Sequence, residues 1–215
     1  MLILTYGIVL LFAGLSAYYG YFLFAKSDAV INNSYNARLD SFADRVVRGE
    51  IRSSDGRVLA QTNVDGEGNE SRFYPYDSLF SHVVGYSTNG KTGLEALSNF
   101  YLLTSHVNML EQVFNELSSV KNKGDNVVTT LDLDIQKAAY DALGKRNGAV
   151  VVMEPDTGKI LAMVSKPDYN PNTLLADWNH LVAEENTSGQ LLNRATQGLY
   201  PPGSTFKVVT ALEYM

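Results

Sequence analysis

The residues whose types and spacing most clearly predict catalysis are Ser204 and Lys207, in the segment Y-P-P-G-S-T-F-K that starts at Tyr200. Two prolines and a glycine cannot continue a regular element, whereas the residues from Ser204 to Glu213 can form a helix. Ser204 is therefore predicted at or just before a helix start. Backbone N–H groups and the helix dipole there favour negative charge developing on an attacked carbonyl. This placement predicts a serine nucleophile.

Lys207 follows Ser204 at the i+3 spacing, which places both side chains on one face of a helix. An amine kept neutral by burial can take the hydroxyl proton, so a histidine is not needed. A second S-x-x-K string, Ser118 to Lys121, ends an amphipathic pattern, and we interpret it as solvated polar residues. The residues around Ser204, and not the S-x-x-K string alone, therefore distinguish it from Ser118 as the candidate nucleophile.

The longer string N-R-A-T-Q-G-L-Y-P-P-G-S-T-F-K resembles the active-site serine segment of penicillin-binding transpeptidases. Their signature is S-x-x-K, then an S-x-N-type element, then K-T-G. Three strings match the later elements but precede Ser204, so we interpret them as chance matches: Ser34–Asn36, Ser87–Asn89 and Lys91–Gly93. The resemblance implies that Ser204 is the nucleophile, that its backbone N–H contributes to an oxyanion hole, and that Lys207 is the general base. It also implies that the sequence holds only the front of such a protein.

The composition limits the classes of function. The chain has 215 residues, 45% of them hydrophobic, with a formal net charge of −6, which argues against nucleic acid as a partner. It has no cysteine, which excludes disulfides and thiolate metal sites. The three histidines, His82, His106 and His180, are far apart and not at metal-ligand spacing, so we expect no metal and no cofactor.

The stretch from Leu2 to Ala25 contains no charged residue and exceeds the roughly 20 residues that cross a bilayer. We predict a retained transmembrane helix. A cleaved signal peptide is the alternative, but the residues after Ala25 do not supply a good small-residue cleavage pattern. Small residues at Ala13, Ala17 and Gly20 are compatible with a helical partner in the membrane.

Short β-type runs follow, and Asp55-Gly56 between two of them predicts a hairpin. The string R-G-E-I-R-S-S-D-G-R-V-L-A, Arg48 to Ala60, resembles the opening of the membrane-proximal pedestal of class B, monofunctional penicillin-binding proteins. Residues 94–103 and 107–120 have helical spacing, and we predict that their apolar stripes are core.

The string G-Y-S-T-N-G-K-T, Gly85 to Thr92, satisfies G-x-x-x-x-G-K-[ST], the pattern of a phosphate-cradling nucleotide loop. The preceding strand would be only His82–Val84, and no parallel βαβ series surrounds it. H-V-V-G-Y followed by G-K-T-G-L-E instead resembles a turn-rich pedestal segment of the same family. A nucleotide-binding protein that uses Gly85–Thr92 stays as an alternative.

The sequence from Val127 onward predicts an α/β arrangement. Val127–Leu131 is a predicted strand, and Asp132 or Asp134 starts a helix. Residues 148–154 and 159–165 are two β runs joined by the turn Pro155–Gly158. The string G-A-V-V-V-M-E-P-D-T-G-K-I-L-A-M-V-S-K-P resembles the first sheet hairpin of the transpeptidase domain, against which we expect the Ser204 helix to pack.

The predicted fold is α+β: a transmembrane anchor (residues 1–25), an elongated pedestal or dimerisation-type domain (26–145) and the start of a transpeptidase/β-lactamase-like α/β domain (146–215). With no glycosyltransferase domain between anchor and pedestal, the resemblance implies a class B penicillin-binding protein. It would be a single-pass protein of the bacterial cell membrane with its globular part outside the cytoplasm. Peptidoglycan stem peptides and β-lactams are its implied ligands, and we expect the fragment alone to be inactive.

Other functions share parts of this pattern. A non-catalytic scaffold or activator would dock on a polytopic glycan polymerase in the membrane, and the small residues of the predicted anchor are its sequence support. A β-lactamase or carboxypeptidase would use the same serine and lysine as Ser204 and Lys207.

Overall fold

The structure, a computed structural model, describes residues 2–27, 30, 45–108, 113–115, 117–118, 120–183, 185 and 187–214. Helix α1 (Leu2–Ala25) has a mean hydropathy of 1.8 and buries none of its residues. It is long and apolar enough to cross a membrane, as the sequence predicts. The string Ser34–Asn36 and part of the predicted helix 107–120 lie outside the described residues.

The chain forms two compact units. The first unit contains the residues up to Tyr76 and Val84–Thr129, and the second contains Asp77–Val83 and the residues from Thr130 onward. The predicted domain limit between residues 145 and 146 stays a prediction.

The first unit is built on short strands. Strand β1 (Val46–Val47) pairs in parallel with β5 (Asn122–Lys123). A four-stranded sheet has the order β4-β3-β2-β6, and its strands are β2 (Ile51–Arg52), β3 (Val58–Val64), β4 (Glu70–Phe73) and β6 (Val127–Val128). Strands β2 and β3 are antiparallel, and Gly56 between them has φ 84°, so the predicted hairpin is confirmed. Its buried side chains include Ile51, Leu59 and Ala60.

Short helices occupy residues 77–102: a 3-10 turn (Asp77–Phe80), α2 (Ser81–Val84), α3 (Gly93–Leu97) and α4 (Asn99–Leu102). The core prediction for the apolar stripes is partly wrong. Of the predicted stripe, Leu94 and Phe100 are half-buried, whereas Leu97 and Tyr101 are 66% and 50% exposed. Leu102, which is fully buried, was not among the predicted core residues. Because the predicted helix 94–103 is interrupted at Ser98, its apolar residues do not share one face. Val113, Phe114 and Leu117 are also exposed.

The second unit has a helix on a hairpin. Helix α5 (Leu133–Leu143) begins at Asp132, whose carboxylate accepts a hydrogen bond from the Ile135 N–H at 2.9 Å. Strands β7 (Gly148–Met153) and β8 (Ile160–Lys166) form the predicted antiparallel hairpin. Ala139 of α5 packs with Ala162 and Val164 of β8 to form the core of this unit.

The remaining elements are α6 (Leu174–Leu181), α7 (Arg194–Gln197), a 3-10 turn (Gly203–Phe206) and α8 (Lys207–Glu213). Helix α7 packs on the β7–β8 hairpin. Every residue from Leu199 to Tyr214 is exposed, so the expected packing of the Ser204 helix on the hairpin is not observed. A helix of seven residues depends on packing of its apolar face, and Val208, Val209 and Leu212 remain exposed here.

Candidate active site

Ser204 is the second residue of the 3-10 turn Gly203–Phe206. Gly203 enters the turn with φ 57°, a backbone conformation that glycine adopts without strain. The N–H groups at the start of such a turn have no partner within it, so that of Ser204 can donate to an external oxygen. Helix α8 begins at Lys207, three residues after Ser204, where the predicted helical run begins.

Lys207 begins α8, and its backbone N–H donates to the carbonyl oxygens of Ser204 and Thr205. Residues i and i+3 of a 3-10 turn lie on the same side, so the structure brings Ser204 and Lys207 to one side of one turn. Both side chains are exposed, and within the described part of the chain neither has a hydrogen bond or an ion pair. The arrangement provides a hydroxyl and an amine one turn apart, without the apolar enclosure that a lysine base needs.

The chain before Ser204 is fixed to strand β8. Asn193 caps α7 by accepting a hydrogen bond from the Ala195 N–H at 3.0 Å. The Arg194 N–H donates to the Ser165 hydroxyl at 2.9 Å. The Arg194 guanidinium donates to the carbonyl oxygens of Gly189 and Ser188, at 2.9 and 2.8 Å. This attachment was not predicted from the sequence, although an asparagine before a helical run is a recognisable cap signal.

None of the three histidines lies in a metal-binding cluster in the part of the chain that the structure describes. His82 Nε2 lies 3.2 Å from the Pro167 carbonyl oxygen, and its ring meets Tyr169 edge to face. Burial lowers the pKa of His82 below its usual value. His106 pairs with Asp125 on the surface.

The segment Gly85–Thr92 lacks the setting of a nucleotide loop. It follows helix α2 rather than a strand, and the helix after it has five residues. The Thr92 N–H donates to the Tyr86 carbonyl oxygen at 3.1 Å, which closes the segment on itself. A Cβ on Gly85 would lie 2.0 Å from the Thr92 carbonyl oxygen, so only glycine fits this approach.

The first unit contains a buried charge cluster that the sequence analysis missed. Glu95 is fully buried, and its two carboxylate oxygens accept hydrogen bonds from Arg48 Nε and Arg72 Nε, both at 2.7 Å. Tyr74 also lies within hydrogen-bond distance of Glu95, and burial together with that carboxylate raises the pKa of the Tyr74 hydroxyl. Arg48 donates in addition to the Asn99 side chain. The sequence around Glu95 did not indicate that its side chain is buried, because its partners Arg48 and Arg72 are distant in sequence.

Comparison with known families gives two matches. The family described as "Penicillin binding protein transpeptidase domain" matches residues 148–214. The family described as "Penicillin binding protein A dimerisation domain" matches residues 48–127. Ser204 and Lys207 lie in the first stretch, and the cluster around Glu95 lies in the second.

Two curated relatives show the extent of the similarity. "Peptidoglycan D,D-transpeptidase PbpA" of Mycolicibacterium smegmatis is 38% identical over 180 aligned positions, which cover 76% of this chain and 36% of that protein. "Peptidoglycan D,D-transpeptidase MrdA" of Escherichia coli K12 is 33% identical over 188 positions, which cover 69% and 29%. The chain thus spans about a third of the length of these relatives.

Solved structures agree with these matches. The D,D-transpeptidase domain of a peptidoglycan glycosyltransferase from Eggerthella lenta superposes with a TM-score of 0.66 at 42% identity, covering 79% of this chain and 38% of that one. The imipenem acyl-enzyme complex of penicillin-binding protein A from M. tuberculosis superposes with a TM-score of 0.67 at 35% identity, covering 78% and 42%. The similarity therefore includes a protein that has been captured as a β-lactam acyl-enzyme.

Proposed function

The chain belongs to the class B penicillin-binding proteins, and from that premise we propose that it is the front part of a serine D,D-transpeptidase that cross-links peptidoglycan stem peptides. The observation that carries the proposal is the pairing of Ser204 with Lys207 on one side of a turn inside the stretch that matches the transpeptidase family. The family match and the local geometry support the same two residues.

In the proposed reaction, the Ser204 hydroxyl oxygen attacks the carbonyl carbon of the penultimate D-alanine, and Lys207 takes the hydroxyl proton. The Ser204 N–H donates to the oxyanion that forms. The peptide C–N bond then breaks, and the terminal D-alanine leaves as an amine that receives a proton. An amine of a neighbouring strand attacks the resulting serine ester, which forms the cross-link and restores the hydroxyl. A β-lactam amide would acylate the same oxygen.

We expect the 215-residue chain to be inactive alone. Ser204 and Lys207 are exposed, and the turn that carries them does not pack on the core of the β7–β8 hairpin. Desolvation is what holds a lysine amine neutral and strengthens oxyanion contacts, and an exposed turn does not supply it. The remaining enclosure would come from residues beyond those described.

The proposed location is the bacterial cell membrane, with a single pass through α1 and the globular part outside the cytoplasm. The apolar, unburied helix Leu2–Ala25 supports the anchor. Peptidoglycan outside the cytoplasm is the substrate that the proposed reaction requires. A glycan polymerase as membrane partner remains a prediction from the sequence.

The test is labelling of the longer gene product in membranes with a fluorescent penicillin. Wild type and Ser118→Ala, which removes the serine of the other S-x-x-K string, are expected to be labelled. Ser204→Ala is expected to be unlabelled while it keeps the wild-type circular dichroism spectrum. Labelling of a folded Ser204→Ala variant would refute the assignment of the nucleophile.

A further inference from the structure

Ser165 lies on strand β8 and is buried, so its hydroxyl needs hydrogen-bond partners inside the protein. It donates to the Leu192 carbonyl oxygen at 3.2 Å and accepts from the Arg194 N–H at 2.9 Å. Asn193, the residue between these two, is extended, with φ −75° and ψ 96°. In an extended chain, the carbonyl and N–H groups that flank one residue point to the same side, where a neighbouring strand can pair with both. The Ser165 side chain therefore holds this segment in the way that a strand backbone would.

The Asn193 side chain attaches the start of α7 to a further part of the second unit. Its Oδ1 accepts from the Ala195 N–H at 3.0 Å, and its Nδ2 donates to the His82 carbonyl oxygen at 3.3 Å. Helix α7 has four residues, and so short a helix depends on contacts outside itself. The bonds of Ser165 and Asn193 supply such contacts at the residues where the helix begins.

The end of α7 is joined to Tyr200 by a close contact at Gly198. A Cβ on Gly198 would lie 2.5 Å from the Arg194 carbonyl oxygen and 2.5 Å from Tyr200 Cε2. Real Cβ atoms do not approach other atoms so closely, so only glycine fits between the backbone of α7 and the tyrosine ring. The position of Tyr200 therefore follows that of α7.

The chain from Tyr200 to the candidate nucleophile has restricted freedom. The pyrrolidine rings of Pro201 and Pro202 fix φ at both positions. The N–H and the hydroxyl of Thr205 both donate to the Pro202 carbonyl oxygen, at 3.3 and 2.5 Å, which closes the turn that contains Ser204. A shift of α7 should therefore shift the Ser204 hydroxyl, because the segment between them has few free backbone rotations.

We propose that Ser165 is a positioning residue for the acylation of Ser204, which it does not contact. Its hydroxyl fixes α7 on β8, and the contact at Gly198 and the two prolines transmit this position to the nucleophile. A displacement of about 1 Å at a reacting group costs on the order of 100-fold in rate, so a bond distant from the chemistry can control it. The inference rests on the proposed transpeptidase function, because the rate at which Ser204 reacts defines it.

The test is stopped-flow acylation of the longer protein over a range of fluorescent penicillin concentrations. It gives the first-order rate constant at saturation, the half-saturating concentration and the fraction of protein that reacts. We expect Ser165→Ala to lower the rate constant by about 10- to 100-fold. The half-saturating concentration should stay unchanged because the variant removes no contact with the antibiotic. The pH dependence of the rate constant should also be unchanged, because Lys207 is retained.

Ser81→Ala is the matched control. It removes another buried serine hydroxyl of the second unit, one that has no hydrogen-bond partner among the described residues. This variant should acylate as wild type does. Gly198→Ala disturbs the same connection at another point, since its Cβ separates Tyr200 from α7. We expect it to lower the same rate constant as Ser165→Ala.

A wild-type rate constant in folded Ser165→Ala and Gly198→Ala would overturn the proposal. A smaller reacting fraction at the wild-type rate constant would also overturn it, because that result reports a loss of folded protein and not a displaced nucleophile. Failure of the proposed function is distinguishable from both results. In that case the folded wild-type protein itself would not be acylated at Ser204, and the assignment of Ser165 would fall with it.

Discussion

At Lys207, the proposed chemistry depends on an amine that can exist without its proton. Arginine keeps the positive charge at this position but remains protonated in proteins, so it cannot act as a base. In the longer protein, we expect Lys207→Arg to lower the second-order rate constant of penicillin acylation by about 10²- to 10⁴-fold, the usual contribution of a general base. Stopped-flow measurement with a fluorescent penicillin gives this constant.

Lys121→Arg, at the lysine of the other S-x-x-K string, is the control and should acylate as wild type does. If Lys207→Arg acylated at the wild-type rate, Lys207 would not be the base, and Ser204 would be activated by another group.

At Glu95, two guanidinium groups depend on one fully buried carboxylate. Glu95→Gln keeps the size of the side chain but leaves Arg48 and Arg72 buried without a counter-charge. We expect a loss of roughly 3–5 kcal/mol in the free energy of opening of the first unit, as for other broken buried ion pairs. Hydrogen exchange, read by mass spectrometry on peptides from β2 and β3, measures it.

Glu67→Gln, in the exposed turn between β3 and β4, is the matched control and should change this free energy by less than about 0.5 kcal/mol. Equal protection in the Glu95 and Glu67 variants would show that the cluster does not stabilise the unit.

At the scale of elements, α5 is held at its start by the Asp132 side chain. We expect Asp132→Ala to destabilise the second unit by about 1 kcal/mol, because the Ile135 N–H loses its acceptor. Urea unfolding followed by the fluorescence of Trp178, the single tryptophan, reports on this unit.

Asp141→Ala, in the exposed last turn of α5, is the control. A carboxylate at that end opposes the helix dipole, so its removal should not destabilise the unit. An Asp132→Ala variant as stable as wild type would show that the cap is dispensable.

Elements with local signals were predictable from the sequence. Asp55-Gly56 specified the β2–β3 turn, and Pro155–Gly158 specified the β7–β8 turn. The start of α5 was predicted at Asp132 or Asp134, and Asp132 is the capping residue. The 24-residue stretch of α1, which contains no charged residue, was equally clear. In each case the residues that determine the geometry are neighbours in the chain.

Features that depend on distant residues were not predictable. Glu95 is buried because Arg48 and Arg72 reach it from 47 and 23 residues away, and no local pattern announces such pairing. Residues 81–84 form a helix, whereas the nucleotide-loop alternative would have required a strand there, and short apolar runs are ambiguous between the two. For the candidate site, the resemblance of the segment up to Lys207 to the active-site serine segment of penicillin-binding transpeptidases identified Ser204 and Lys207. It did not indicate that their turn would be exposed.

At the scale of the whole chain, we expect the second unit to lose stability at acidic pH because of the buried His82. Burial lowers its pKa, while the Pro167 carbonyl oxygen and Asp168 oppose that effect and Arg194 adds to it. The unfolded chain, with a histidine pKa near 6.5, binds the proton more readily than the folded chain. Stability from this group is therefore present above about pH 6.5 and is lost as the pH falls from there toward the folded pKa.

His82→Asn should reduce the difference between the unfolding free energies at pH 7.5 and pH 5.5, followed through Trp178 fluorescence. His180→Asn, at an exposed histidine of the same unit, should retain the wild-type difference. A His82→Asn variant with the full wild-type pH dependence would assign the acid sensitivity to other groups.

The two compact units divide the proposed tasks. The second unit presents Ser204 and Lys207 on an exposed segment, and the first unit encloses the charge cluster around Glu95. The apolar side chains of α8 are exposed in the described chain, which spans about a third of the length of its relatives. Acylation is therefore expected for the longer protein and not for the 215 residues alone.

The most direct measurement is peptide mapping by mass spectrometry after the longer protein has reacted with benzylpenicillin. The account predicts one covalent adduct with the full mass of the antibiotic, located at Ser204 in the tryptic peptide Ala195–Lys207, and no adduct on the 215-residue chain. An adduct at another residue of the folded protein, or a stoichiometric adduct on the 215-residue chain, would contradict it.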